Sequence, residues 1–160
     1  MNIYFAGPLF NKAEKQFNQK LTDKLETAGF EVFLPQRDGV TGDKPPYDKM
    51  SREERRKAIF NLDKEKIIES DIFLFVLDGR VPDEGACVEL GIAYCQKELQ
   101  GKKKLLAGLK TDSRAVQIAT ELNPMIKVPL DYIAENEEEL IKYLTAYRKA
   151  KNGNGVSPRN

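Results

Sequence analysis

Glu89 is the only carboxylate in Gly85-Ala86-Cys87-Val88-Glu89-Leu90-Gly91-Ile92-Ala93-Tyr94-Cys95, a segment that is apolar around the whole helical circumference. That pattern predicts a largely buried helix over about 84–99. A carboxylate buried there without a partner costs several kcal/mol in order of magnitude, so it needs donors or a pocket to face. One reading is structural, with Glu89 bonded to backbone amides or to a Tyr. The other is chemical. Glu89 sits within about two turns of the helix start, where the dipole helps to keep it ionised. A rigid, desolvated carboxylate is what attack on a sugar carbon requires. Asp63 is the second acid in an unexpected place, because Ile59, Asp63 and Ile67 share one helical stripe. Its alternative is the edge of a solvated face, since the same helix carries Arg55, Arg56, Lys64, Glu65 and Lys66. Asp83, in Asp83-Glu84-Gly85, stands where a helix N-cap is expected, and its oxygens could equally accept hydrogen bonds from a sugar hydroxyl.

Other chemistries are absent by composition. The 160-residue chain has no His, which removes Ser-His-Asp and Cys-His catalysis, His-ligated zinc and imidazole acid–base work. Two cysteines, Cys87 and Cys95, cannot build a zinc site alone and read as reduced, buried thiols of a cytoplasmic protein. No metal and no cofactor are expected. Neither Gly7-Pro8 nor Asp78-Gly79 belongs to a dinucleotide fingerprint or a P-loop. With 26 Lys and Arg against 25 Asp and Glu, the net charge of +1 makes neither nucleic acid nor an anionic membrane a default partner. Lys102-Lys103-Lys104 reads as a solvated run. No apolar run reaches about 18 residues, and Met1-Asn2 leads straight into a strand, so neither a signal peptide nor a membrane span is expected.

The elements that must carry these residues alternate. Ile3–Ala6 reads as a buried strand closed by Gly7-Pro8, and Phe17, Leu21 and Leu25 mark a surface helix over about 11–28. Glu31–Leu34 is a second strand. Residues 36–50, with two Gly and two Pro, read as a loop without regular structure. Ser51 and Glu54 have capping-box spacing and open a helix to about Ser70. Asp71, at the foot of the next strand, is read as structural. Six apolar residues, Ile72–Leu77, form a strand covered on both faces. A strand at about 103–109 and a helix at about 136–150 follow, with 110–130 left as irregular or short elements. The expected fold is α/β, a doubly wound, mostly parallel sheet with helices on both faces. Residues 1–150 form one domain, and 151–160 read as a disordered polar tail. Ligands in such sheets sit beyond the carboxyl ends of the strands.

Taken together, Ile3-Tyr4-Phe5-Ala6-Gly7-Pro8, the Asp63 to Asp71 spacing, Pro82-Asp83-Glu84-Gly85 and Val88-Glu89-Leu90-Gly91 resemble the nucleoside 2-deoxyribosyltransferases, over about residues 3–145. The D-x-G-x-x-x-E-x-G element, Asp83 to Gly91, is the most specific part. The resemblance implies a flavodoxin-like fold and a ping-pong transfer of 2-deoxyribose between nucleobases. Glu89 would be the nucleophile, Tyr4 would position it, and Asp63 would handle the proton or hydrogen bonds of the base. Asp83 would hold the sugar hydroxyls beside Gly85 and Gly7, and Phe10 would pack on the base. Asn123 and Met125 would reach the pocket of a neighbouring subunit, implying a homo-oligomer. Gln36 and Asp38 are candidate base contacts. Partners are then a deoxyribonucleoside and a free nucleobase. A related alternative is a 2′-deoxynucleoside 5′-monophosphate N-hydrolase using the same Glu with water. Its phosphate loop needs Ser and Arg, where this chain has Gly7-Pro8-Leu9-Phe10-Asn11. A non-catalytic nucleoside-binding domain is the third reading, which the joint presence of Glu89, Asp83, Asp63 and Tyr4 disfavours.

Overall fold

The computed structural model describes residues 1–79, 81–112 and 121–153. Five strands, β1 (Asn2–Ala6), β2 (Glu31–Phe33), β3 (Ile72–Val76), β4 (Leu105–Leu109) and β5 (Tyr132–Ala134), form one sheet in the order β2-β1-β3-β4-β5. Every pairing is parallel. The chain runs out to β2, returns past β1 and continues through β3 to β5, so the strand order reverses between β1 and β3. In doubly wound sheets a ligand crevice opens at that point, above the carboxyl ends of the strands.

The side chains of β1 and β3 divide strictly by face. Ile3, Phe5, Ile72, Leu74 and Val76 pack with Leu21 and Leu25 of α1 (Lys12–Thr27), and with Leu140 and Leu144 of the last helix, Glu137–Asn152. Tyr4, Ala6, Phe73, Phe75 and Leu77 pack with Ile67 and with Ala86, Leu90 and Ala93, on two further long helices. This two-sided burial is why the strands read as continuous apolar runs. The first of those helices, α3 (Arg52–Glu69), opens at the Ser51–Glu54 capping box the sequence predicts. The second, α4 (Glu84–Leu99), opens at Asp83. Asp71 accepts the Asn2 amide at 3.1 Å, the structural role expected of it.

Several expectations change. Residues 36–50 are not wholly irregular: Pro35–Asp38 form one helical turn, α2, and Tyr47–Lys49 a 3-10 turn. Pro35 starts α2, where its fixed φ and missing amide cost nothing, rather than merely ending a strand. β5 escapes a periodicity reading because only three residues pair at this edge. A short helix, α5 (Pro124–Lys127), precedes it. The last helix, α6, extends through Lys151 and Asn152 of the expected tail, while 154–160 lie outside the described residues. No helix among the described residues is long and apolar enough to cross a membrane.

Lys104 does not belong to a solvated run. It is 4% exposed, and its ammonium group donates to the Ile67 carbonyl and, at 2.9 Å, to Ser70 Oγ, capping the last turn of α3. Burial, and secondarily Lys102, pulls its pKa down to about 8. Between that value and the ordinary lysine value near 10.5 the unfolded chain binds more protons than the folded one, so the Lys104 contribution makes stability rise with pH. The expected result is a melting-temperature difference between wild type and Lys104→Met that shifts in favour of wild type from pH 8 to pH 10. A difference that is flat with pH would show that Lys104 keeps its ordinary pKa when folded.

Candidate active site

Tyr4 projects from the middle of β1 towards α4, and its ring is stacked between Phe33 of β2 and Phe73 of β3. The ring centroids lie 5.7 and 5.8 Å away, with interplanar angles of 17° and 9°. The residue is fully buried, and its hydroxyl donates to Glu89 Oε1 at 2.8 Å. The structural partner that the sequence allows Glu89, a Tyr, is therefore present. Glu89 also lines a cavity of about 320 Å³ between α3 and α4, at the lower end of the range usual for small-molecule sites. It is held at one oxygen and faces open space.

Burial raises the Glu89 pKa to about 7. The Tyr4 hydrogen bond opposes that rise, while the charges of Asp63 and Asp83 add to it. Tyr4 is pushed far above its usual range, first by burial and then by the Glu89 and Asp63 charges, so its proton stays on oxygen and its hydroxyl remains a donor. Asp63 lines the same cavity, and burial raises its pKa to about 6. Its helical stripe points where the sequence places it at Ile67, which is fully buried, but Ile59 is exposed. The stripe leaves the core within two turns and becomes the cavity wall. Two carboxylates with pKa values near neutrality in one cleft can supply a nucleophile and a proton relay.

Asp83 caps α4, accepting the Ala86 amide at 2.8 Å through Oδ2. A Cβ at Gly85 would lie 3.1 Å from that oxygen, so the glycine leaves the carboxylate room. Gly7 closes β1 at φ 156°, where a side chain is strained, and a Cβ there would lie 3.0 Å from the Cβ of Val76, pressing on the end of β3. At the end of β3, Asp78 accepts the Thr111 hydroxyl and the Thr111 and Asp112 amides, tying the exit of β4 to the crevice.

The remaining expected site residues do not line this cavity. Phe10 is 75% exposed. Gln36 donates to the Lys15 carbonyl and accepts from Asn18, and Asp38 accepts the Leu34 amide and binds Arg37, so both side chains are already engaged in holding α2. Asn123 caps α5 through the Met125 amide, and Met125 is 81% exposed. The stacking pair Phe33 and Phe73 carries no signal in the sequence alone. Only strand register, which places them beside Tyr4, could have found them.

Helix α4 is not buried all round. Val88 is 62% exposed, and Gly91 and Cys95 also face outward. Of the two cysteines read as buried, Cys87 is half-buried and Cys95 exposed, and both are free thiols. The apolar circumference comprises a core face and an outward apolar face, which composition alone cannot separate. Among the described residues, no group of three His, Cys, Asp or Glu is arranged to hold a metal ion. Two larger clefts, along the β2 edge and on the outer face of α6, contain neither Glu89 nor Asp63.

The family model for nucleoside 2-deoxyribosyltransferases matches residues 3–144. The chain belongs to that family. No curated protein matches the sequence. Among solved structures, a protein from Enterococcus faecalis V583 is similar at 27% identity and TM-score 0.70, over 92% of this chain and 98% of that one. The 2-deoxyribosyltransferase of Bacillus psychrosaccharolyticus is similar at 23% identity and TM-score 0.67, over 89% and 92%, and carries the fold. Membership agrees with the order of the five parallel strands and with the resemblance traced from Tyr4 to Gly91.

Proposed function

We propose that this deoxyribosyltransferase-family protein transfers 2-deoxyribose between nucleobases through a covalent ester on Glu89. The observation that carries the reading is the Tyr4–Glu89 hydrogen bond at 2.8 Å beside an open cavity. Tyr4 occupies Oε1 and leaves Oε2 free for the anomeric carbon. As the Oε2–C1′ bond forms, the C1′–N bond breaks, its electron pair goes to the base nitrogen, and Asp63 supplies the proton. An incoming base then gives its proton to Asp63 and attacks C1′, and Glu89 departs as carboxylate. Two inversions give net retention, the logic of a retaining glycosidase with a base in place of water. Asp83 orients the sugar hydroxyls, Gly85 leaves its carboxylate room to do so, and Phe10, in the loop after β1, packs on the base.

The apolar groups around the cavity mouth, Ile59, Phe60 and Val88, are exposed in the single chain. A second copy covering them, and contributing Asn123 and Met125, is the assembly that fits, in a cytoplasmic homo-oligomer. Incubation with deoxyinosine, with and without adenine, tests the reaction by chromatography. Deoxyadenosine appearing only with adenine is expected. Hypoxanthine and free deoxyribose alone would make the protein a hydrolase, and no change would make it a binding module.

The capping bond of Asp83 must be separated from its role towards the sugar. Asp83→Ala is expected to cost about 1 kcal/mol of stability and to lower turnover on the order of 10²-fold through lost orientation. Asp83→Asn, an equally good cap, should melt like wild type and still lose turnover. Activity that follows melting temperature across both variants would reduce Asp83 to a cap.

A further inference from the structure

The α3 wall of the cavity carries two cationic groups that the proposed reaction leaves unused, Arg56 and Lys64. Arg56 lines the cavity with Asp63 and Glu89, and among the described residues its guanidinium enters no hydrogen bond or ion pair. Its neighbours are committed. Arg55 donates to the Tyr47 and Met50 carbonyls at 3.3 and 3.2 Å. Lys64 lies 5.5 Å from the centre of the Phe60 ring and donates to Asn61.

Positions 56, 60, 63 and 67 recur on one face of α3, so Arg56 and Asp63 lie on the same side about 10 Å apart along the axis, with Phe60 between them. A flat ring lying against Phe60 is bracketed by the two. Asp83, which faces the sugar in the proposed reaction, caps α4 on the opposite wall. The α3 wall is then the side of the base.

We propose that Arg56 reads the edge of the nucleobase remote from Asp63 and selects bases with a carbonyl oxygen there, 6-oxopurines and 4-oxopyrimidines, over their amino counterparts. The inference rests on the proposed transfer reaction and names its base class. A guanidinium donates and never accepts. Towards a carbonyl it makes a charge-assisted hydrogen bond. Towards an exocyclic amine it sets donor against donor and leaves both groups unpaired.

Titration calorimetry of free hypoxanthine and free adenine onto wild type, Arg56→Met and Arg56→Lys tests this without requiring turnover. Wild type is expected to bind hypoxanthine about tenfold more tightly than adenine. Arg56→Met should bring the two within about twofold by weakening hypoxanthine alone, with an unchanged melting temperature, because the side chain is exposed. Arg56→Lys should keep part of the preference through its remaining donor. Equal wild-type affinities, an equal loss for both bases in Arg56→Met, or no binding of either base would overturn the assignment. So would tighter binding of deoxyinosine 5′-monophosphate than of deoxyinosine that disappears in Arg56→Met, which would give the guanidinium to a phosphate. Failure of wild type to form deoxyadenosine from deoxyinosine and adenine would overturn the transfer reaction instead, in a separate assay.

Discussion

Glu89→Gln is expected to lose transfer by about 10⁴-fold or more, the scale seen when a covalent nucleophile is removed, and at the same time to melt higher than wild type above pH 7. The two effects have one cause. The Glu89 pKa stands near 7 in the folded protein, above the ordinary carboxylate value of 4.5. Between those values the folded state binds more protons than the unfolded state, so the Glu89 contribution lowers stability as pH rises through 7. A neutral amide accepts the Tyr4 hydroxyl in the same way and has no charge to desolvate. Relief of about 3 kcal/mol at pH 8, vanishing towards pH 4, is the size this shift implies. Thermal melts at pH 5 and pH 8, alongside a chromatographic assay, check both halves. A variant that turns over normally removes the nucleophile assignment. One that is inactive but not stabilised at high pH shows that Glu89 is ordinarily ionised in the fold.

Asp63→Asn is expected to lower kcat/KM on the order of 10²-fold, as for a general acid–base group, and to change the shape of its pH profile. Glu89 and Asp63 line one cavity; burial raises both pKa values, to about 7 and about 6, and the Asp63 charge adds to the rise at Glu89, so the two are read together as a pair. Transfer needs one proton on the pair, with the Glu89 carboxylate free, so wild type should show a bell with its top near pH 6.5. In the variant only the Glu89 ionisation remains, and without the Asp63 charge its midpoint falls below 7. The descending limb should vanish, leaving a single rise to a plateau. A bell that persists in Asp63→Asn would place the proton relay on another group.

The layered sheet was legible because burial on both faces writes itself as unbroken apolar runs, as in Ile72–Leu77, and because Ser51, Asp83 and Asn136 announce helix starts. Glu89 stood out for a related reason: one acid in an apolar helix is costly wherever it points. What pattern could not supply was direction. Lys104 looks like its two neighbours in sequence, yet it turns inward to the end of α3, and Val88 looks like core and faces out. Both depend on which side of a helix or strand end meets the sheet, a fact of tertiary packing. Tyr4 itself was reached through family resemblance, since a Tyr in a buried strand is unremarkable until the side chain it meets is known. Its clamp between Phe33 and Phe73 exists only once β2, β1 and β3 lie side by side.

The outward face of α4 gives the molecule a ready handle. Cys95 is the exposed member of the two thiols, while the pKa of half-buried Cys87 is pushed up by burial and by the nearby Asp83 and Glu84 charges. A maleimide dye or nitroxide should therefore label residue 95 first, with no engineered substitution. Sitting on the same helix as Glu89, such a label would report, by an optical or magnetic signal that changes on dilution, whether a second copy covers that face.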